Sequence, residues 1–171
     1  MEDPHDLERF VVAQDGGSTY DVAVKELRAG RKETHWIWFV FPQMRGLGVS
    51  DYAIRYGIAT AAEGAAYLQH EVLGPRLRHC TNLVLRSPVV NPAILMGTTV
   101  DALKLQSSMT LFAEVADDDA DFVAVLGKYY HGGRDLKTLE LLRTIETKRK
   151  SDLAEKPVPT ERGFWSWLRR H

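Results

Sequence analysis

The sequence has a single cysteine, Cys80, in 171 residues. That excludes an intramolecular disulfide framework. No apolar run approaches the ~20 residues that span a bilayer. Met1-Glu2-Asp3-Pro4 opens acidic and lacks the apolar stretch of a signal peptide. Neither sign of charge dominates: 22 Lys and Arg face 23 Asp and Glu, which excludes a strongly basic nucleic-acid binder. No GxSxG, P-loop or GxGxxG spacing is present. His70-Glu71 starts like HExxH, but Gly74 stands where the second histidine is required, so no zinc site is expected. Nothing in the sequence calls for a cofactor. What remains describes a soluble, cytoplasmic protein.

Charge is unevenly spread. Residues 148–171 hold seven Lys and Arg against three Asp and Glu, while residues 1–147 hold 15 against 20. The change coincides with a polar stretch and the stiff Pro157-Val158-Pro159. We expect one domain over 1–147 and a basic tail over 148–171. Phe164, Trp165 and Trp167 sit among cations in that tail, so it can dock on its own body or on a protein partner.

Helix signals run through the body. Leu7, Phe10 and Val11 share one face after Pro4. Ser18 can cap a helix carrying Tyr20, Val24 and Leu27, which ends near Gly30. Thr60 with Glu63 reads as a capping box. Gly74-Pro75 interrupts before Leu77–Leu85, and Asn91-Pro92 opens a turn ending at Gly97. Residues 98–115 form a long candidate. The acidic run 117–121 suits the start of the next helix, and Asp135 caps the last, with Leu136, Leu139 and Leu142 as its stripe. His35 to Phe41 is continuously apolar and aromatic. It suits a buried strand or a buried helix capped by Thr34 and ended before Pro42. With no strand partner of equal strength, the helix is favoured. The expected fold is all-α, a multihelical bundle around an aromatic-rich central helix.

The 98–115 helix carries the chemistry-bearing residues. Leu105, Met109 and Phe112 must face the core, and Asp101, Lys104 and Ser108 project onto the same arc. Polar groups there need partners, because an unpaired buried charge costs several kcal/mol. They form either a structural Asp101–Lys104 pair or the wall of a pocket. Free N–H groups after Thr98 suit an anion, with Gly97 letting it approach. His35 is either a hydrogen-bonded core histidine or a pocket residue. Gln43 starts a loop, Gln43-Met44-Arg45-Gly46-Leu47-Gly48-Val49-Ser50, that either merely connects or holds a phosphate.

The segments Asp6-Leu7-Glu8-Arg9-Phe10, His35-Trp36-Ile37-Trp38-Phe39-Val40-Phe41-Pro42-Gln43, Gly46-Leu47-Gly48, Leu73-Gly74-Pro75-Arg76-Leu77 and Ser107-Ser108-Met109-Thr110-Leu111-Phe112 resemble the bacterial domain-of-unknown-function family 1810. The resemblance covers roughly residues 5–145 and implies a compact helical domain. The name calpastatin sometimes attached to that family fits poorly, since such inhibitors are polar and disordered whereas this body is patterned for a core. The order of elements is also similar in layout to the NADAR N-glycosidases, which act on ADP-ribosyl or related groups. Two functions are therefore expected as alternatives. In the first, a small hydrolase or binder takes a nucleotide-like, ADP-ribosyl ligand. Glu63 or Asp101 stabilises an oxocarbenium-like centre or activates water, Lys104 and Arg76 hold phosphates, and Trp36 or Trp38 stacks a base. His35, Gln43 and Ser108 would complete that pocket. In the second, the body is a scaffold and the Trp-rich tail binds another protein.

Overall fold

The structure, a computed structural model, describes residues 3–154. Phe164, Trp165 and Trp167 lie outside the described residues. The elements in chain order are α1 (Glu8–Asp15), α2 (Thr19–Arg28), α3 (Ile37–Val40), α4 (Asp51–Arg55), α5 (Ala61–Gln69), α6 (Leu73–Arg86), α7 (Pro92–Leu95), α8 (Thr99–Val115), α9 (Ala120–Tyr130) and α10 (Leu136–Ala154), with a 3-10 turn at Gly16–Ser18. Among the described residues there is no strand, only one parallel bridge between Met44 and Ile58. The fold is all-α, and no described helix is long and apolar enough to cross a membrane.

Side-chain caps set the helix starts. Thr60 Oγ1 accepts from Glu63 N at 3.1 Å, Thr98 Oγ1 from Asp101 N at 3.0 Å, and Asn91 Oδ1 from Ala93 N at 2.9 Å. Asp135 Oδ2 accepts from Thr138 N at 3.1 Å. The reciprocal half of the capping box is displaced by one residue, since Glu63 Oε2 accepts from Ala59 N at 2.9 Å. Ser18 caps nothing: it sits in the left-handed region at φ 57, and Thr19 Oγ1 donates back to Gly16 O instead. The break before α6 falls at residues 70–72, not at Gly74-Pro75. There His70 Nδ1 accepts from Val72 N and Leu73 N, and Pro75 lies in the first turn of α6, where its missing N–H costs nothing.

α8 is the central helix. It packs against α3, α5, α7, α9 and α10, and Leu105, Met109 and Phe112 are fully buried. α10 continues through residues 148–154 and contacts α8, and Leu141, Leu142 and Ile145 pack against the core; Leu136 is exposed.

The aromatic segment folds as a single helical turn. Trp36 stands at the N-cap of α3, Phe41 leaves helical geometry at its end, and Pro42 stops further winding. Thr34 does not cap it. Thr34 is drawn instead to Glu26, a buried carboxylate on α2 that accepts from Glu33 N, Thr34 N, Thr34 Oγ1 and Trp36 Nε1 at 2.7–3.1 Å. Burial pushes the Glu26 carboxyl up, but these donors outweigh it and hold it below the ordinary 4.5. Glu26 thus replaces a helix turn as the organiser of residues 31–36. Glu26→Ala should cost about 2–3 kcal/mol, because three N–H groups lose their acceptor. The lowered carboxyl also fixes the sign with pH. Its contribution is full above about 4.5 and is lost as pH falls through the lower folded value. Acid titration of Glu26→Gln should show a shallower loss of stability over that window than the parent; equal slopes would contradict this role.

Candidate functional site

Three segments meet beside the first half of α8. α3 brings Trp38, the loop after it brings Gln43 and Gly48, and the start of α10 brings Asp135 and Lys137. With Lys104 and Ser107 they line a cleft of about 320 Å³. The loop reaches this place because Gln43 O and Arg45 N form the bridge to Ile58, at 2.9 and 2.8 Å. Ser50 Oγ then accepts from Ala53 N and turns the chain into α4.

A chain of charges and rings runs into the cleft from the adjoining cavity and ends on Lys104 and Trp38. Lys32 Nζ is 2.7 Å from Asp101 Oδ2, and Lys104 Nζ is 2.9 Å from Asp101 Oδ1. Lys104 Nζ also lies 4.2 Å from the Trp38 ring centroid. The other ring partner of Trp38 is Tyr52, stacked at 5.3 Å and 29°. Burial raises the Asp101 carboxyl, but hydrogen bonds from Lys32 and Lys104 more than offset this and hold it below its usual range. Asp101 is therefore fixed in its ionised form between two ammonium groups. The Ser107 hydroxyl lies 3.0 Å from Asp135 Oδ2 and 3.1 Å from Leu103 O. No side-chain hydrogen bond among the described residues involves the Gln43 amide, although Gln43 is 9% exposed. Val100 and Leu103 form an apolar rim, 61% and 57% exposed.

Of the residues picked from sequence, Trp38, Gln43 and Lys104 share this cleft. Asp101 and His35 line an adjoining cavity of about 280 Å³ with Arg31, Lys32, Gly97 and Thr98. His35 is exposed, so it is not a core histidine. Gly97 does admit a close neighbour, but that neighbour is the chain itself: a Cβ there would lie 2.5 Å from Lys32 O, and φ is 79.

The remaining picks lie elsewhere. Trp36 is fully buried with its indole N–H on Glu26, so it has no face for a ligand. Ser108 is fully buried with no partner for its hydroxyl, and its neighbour Ser107 takes the cleft position. Arg76 pairs with Asp15 at 2.8 Å and covers the Tyr20 ring. Glu63 is buried against Arg9 at 2.6 Å, in a different cavity. The sequence reading missed Glu26, Arg9, Tyr52, Ser107 and the cleft position of Asp135. The Ser107-Ser108 doublet was the one local signal, because adjacent helical positions differ by about 100° and only one can face the cleft. Among the described residues no group of three His, Cys, Asp or Glu side chains is placed to hold a metal.

The family described as "Protein of unknown function (DUF1810)" matches residues 4–142. The chain belongs to the DUF1810 family. The match spans every residue of the cleft. This DUF1810 protein is also similar to a solved crystal structure, that of the conserved hypothetical protein Rv1873 from Mycobacterium tuberculosis. The two share 55% identity with a TM-score of 0.79, over 82% of this chain and 99% of that one. No curated protein matches the chain.

Proposed function

We propose that the Trp38 cleft binds a nucleotide-like ligand, the ADP-ribosyl group being the form that the layout likeness to NADAR enzymes suggests. The observation that carries this reading is that Gln43, whose amide makes no side-chain hydrogen bond among the described residues, lines a cleft that also gathers Trp38 and Lys104 from separate segments. The apolar rim of Val100 and Leu103 suits a planar ring. Lys104 and Lys137 suit an anionic group, and Gln43 suits a ring edge or a ribose hydroxyl. A ring that stacks on Trp38 competes with Lys104 or Tyr52, so Lys104 swings from the indole toward the ligand.

Binding is better supported than hydrolysis. Asp101 has both oxygens on lysines and Glu63 has both on Arg9 and Ala59 N, so neither is free to take a proton from water. Titration of the protein with ADP-ribose, NAD and AMP by NMR is the test. Saturable shifts are expected at the Trp38 indole, with affinity falling about tenfold in Lys104→Ala and in Gln43→Ala. Arg76→Ala should leave it unchanged. No shift at millimolar ligand, or equal affinity in all variants, ends this reading.

A further inference from the structure

A second cluster of cations lies away from the Trp38 cleft. A cavity of about 420 Å³ is lined by His5, Asp6, Arg9, Arg45, Arg55 and Glu63, among others. Its floor is Arg9. Every donor of that guanidinium is spent inward: Nε on Arg55 O, Nη1 on His5 O and Asp6 O, Nη2 on Glu63 Oε1 and Gly57 O. Glu63 neutralises Arg9, so the floor is rigid and has no net charge.

Arg45 and Arg55 stand over this floor, and both are exposed. Neither has a carboxylate within ion-pair distance among the described residues, although Asp6 lines the same cavity. Arg45 Nη2 and Arg9 Nη2 lie 3.4 Å from one and the same oxygen, Gly57 O. Like charges so arranged repel, and with Glu63 spent on Arg9 only Asp6 is left in the lining to set against Arg45 and Arg55. The backbone holds them there. Arg45 N is tied to Ile58 O at 2.8 Å, and Arg55 O is held by Arg9 Nε at 2.9 Å. Gly57 allows the approach, since a Cβ at that position would meet Arg45 Cα at 2.8 Å and Ala53 O at 2.7 Å.

We propose that this cavity binds the phosphate group of a small phosphate monoester, held between Arg45 and Arg55 over the Arg9–Glu63 floor. Each guanidinium offers a planar fork of donors. A carboxylate is satisfied by one such fork; two forks from different segments match the three terminal oxygens of a phosphate monoester. The volume leaves room for the organic part of the ligand. The glycine-containing loop thus splits its duties, with Arg45 facing this cavity while Leu47, Gly48 and Ser50 face the Trp38 cleft. The proposal does not rest on the nucleotide reading of that cleft.

The test is calorimetric and NMR titration of the full chain with ribose 5-phosphate, with ribose and acetate as controls. Ribose 5-phosphate should bind saturably, and the controls should not. Arg45→Ala and Arg55→Ala should each weaken binding about tenfold or more, and Arg45→Lys by less, because it keeps the charge but not the fork. Melting of the unliganded variants should stay close to the parent value, since both residues are exposed and the contacts they lose are one long hydrogen bond from Arg45 to Gly57 O and the approach of Arg55 to the Tyr56 ring. Arg28→Ala, an exposed cation on α2, controls for charge loss and should bind as the parent does. Absence of saturable binding by the parent overturns the proposal. So does undiminished binding in the Arg45→Ala/Arg55→Ala double variant, which would place the ligand elsewhere.

Discussion

Arg9→Met should lower the free energy of unfolding by about 3–5 kcal/mol, the range for removing one partner of a buried ion pair. The loss has two parts. Glu63, 4% exposed, is left as a buried carboxylate without its cation. In addition, the carbonyls of His5, Asp6, Arg55 and Gly57 lose the donor that ties three chain segments together. Glu63→Gln should cost less, because an amide oxygen still accepts from Arg9. Removing both charges in Arg9→Met/Glu63→Gln should cost less than the sum of the single changes, since no lone charge remains. Urea denaturation of the four proteins measures this. A loss below about 1 kcal/mol for Arg9→Met would show that the pair contributes little, as exposed pairs do.

Gly74→Ala should destabilise by about 3 kcal/mol, at the upper end of overpacking costs. Its φ is not the reason. A Cβ on Gly74 would lie 2.0 Å from Leu68 O and 2.9 Å from Leu68 C. Both contacts are with backbone, so no rotamer change relieves them. The carbonyl is one of the last in α5, and it can come so close only because just three residues separate the end of α5 from the start of α6. Making room means moving α6 off α5, with Leu73 and Leu77 in the core between them. Thermal melting of Gly74→Ala beside Gly127→Ala makes the comparison. Gly127 has open space at its Cβ position and sits inside α9, where Ala is the better helix former, so that change should stabilise slightly. Equal melting points would refute the steric argument.

Helix limits were legible in the sequence wherever a short-range cap set them. Thr60, Asn91, Thr98 and Asp135 each act within three residues, which is the range over which a pattern can be read. The all-α class was legible because apolar residues recur at helical spacing in α2, α6 and α9, and the resemblance to family 1810 holds in the family match over residues 4–142. Residues 35–41 show where this stops. Their composition reads as a continuous buried element, yet only four residues wind, because Glu26 takes Thr34 and the Trp36 indole from across the fold. No local spacing announces a partner eight or ten positions away that lies on another helix. The same holds for Arg9 and Glu63, 54 positions apart.

The site was half legible. The periodicity of α8 places Lys104 and Asp101 at its inner edge, and both are found there, joined as a pair. Trp36 and Trp38 are two residues apart and cannot be ranked from sequence; a turn of helix puts one inside and one at the cleft. Arg76 and Glu63 were drawn in by residue type alone, and tertiary partners claim both.

Arg9 faces wholly inward, whereas Arg45 and Arg55 face out. The cavity they share therefore has a fixed foundation and a replaceable mouth. Sequence drift at positions 45 and 55 can retune what is held there while the scaffold stays intact, but a change at position 9 forfeits scaffold and mouth together. Within this architecture, selectivity and foldedness are written in different residues.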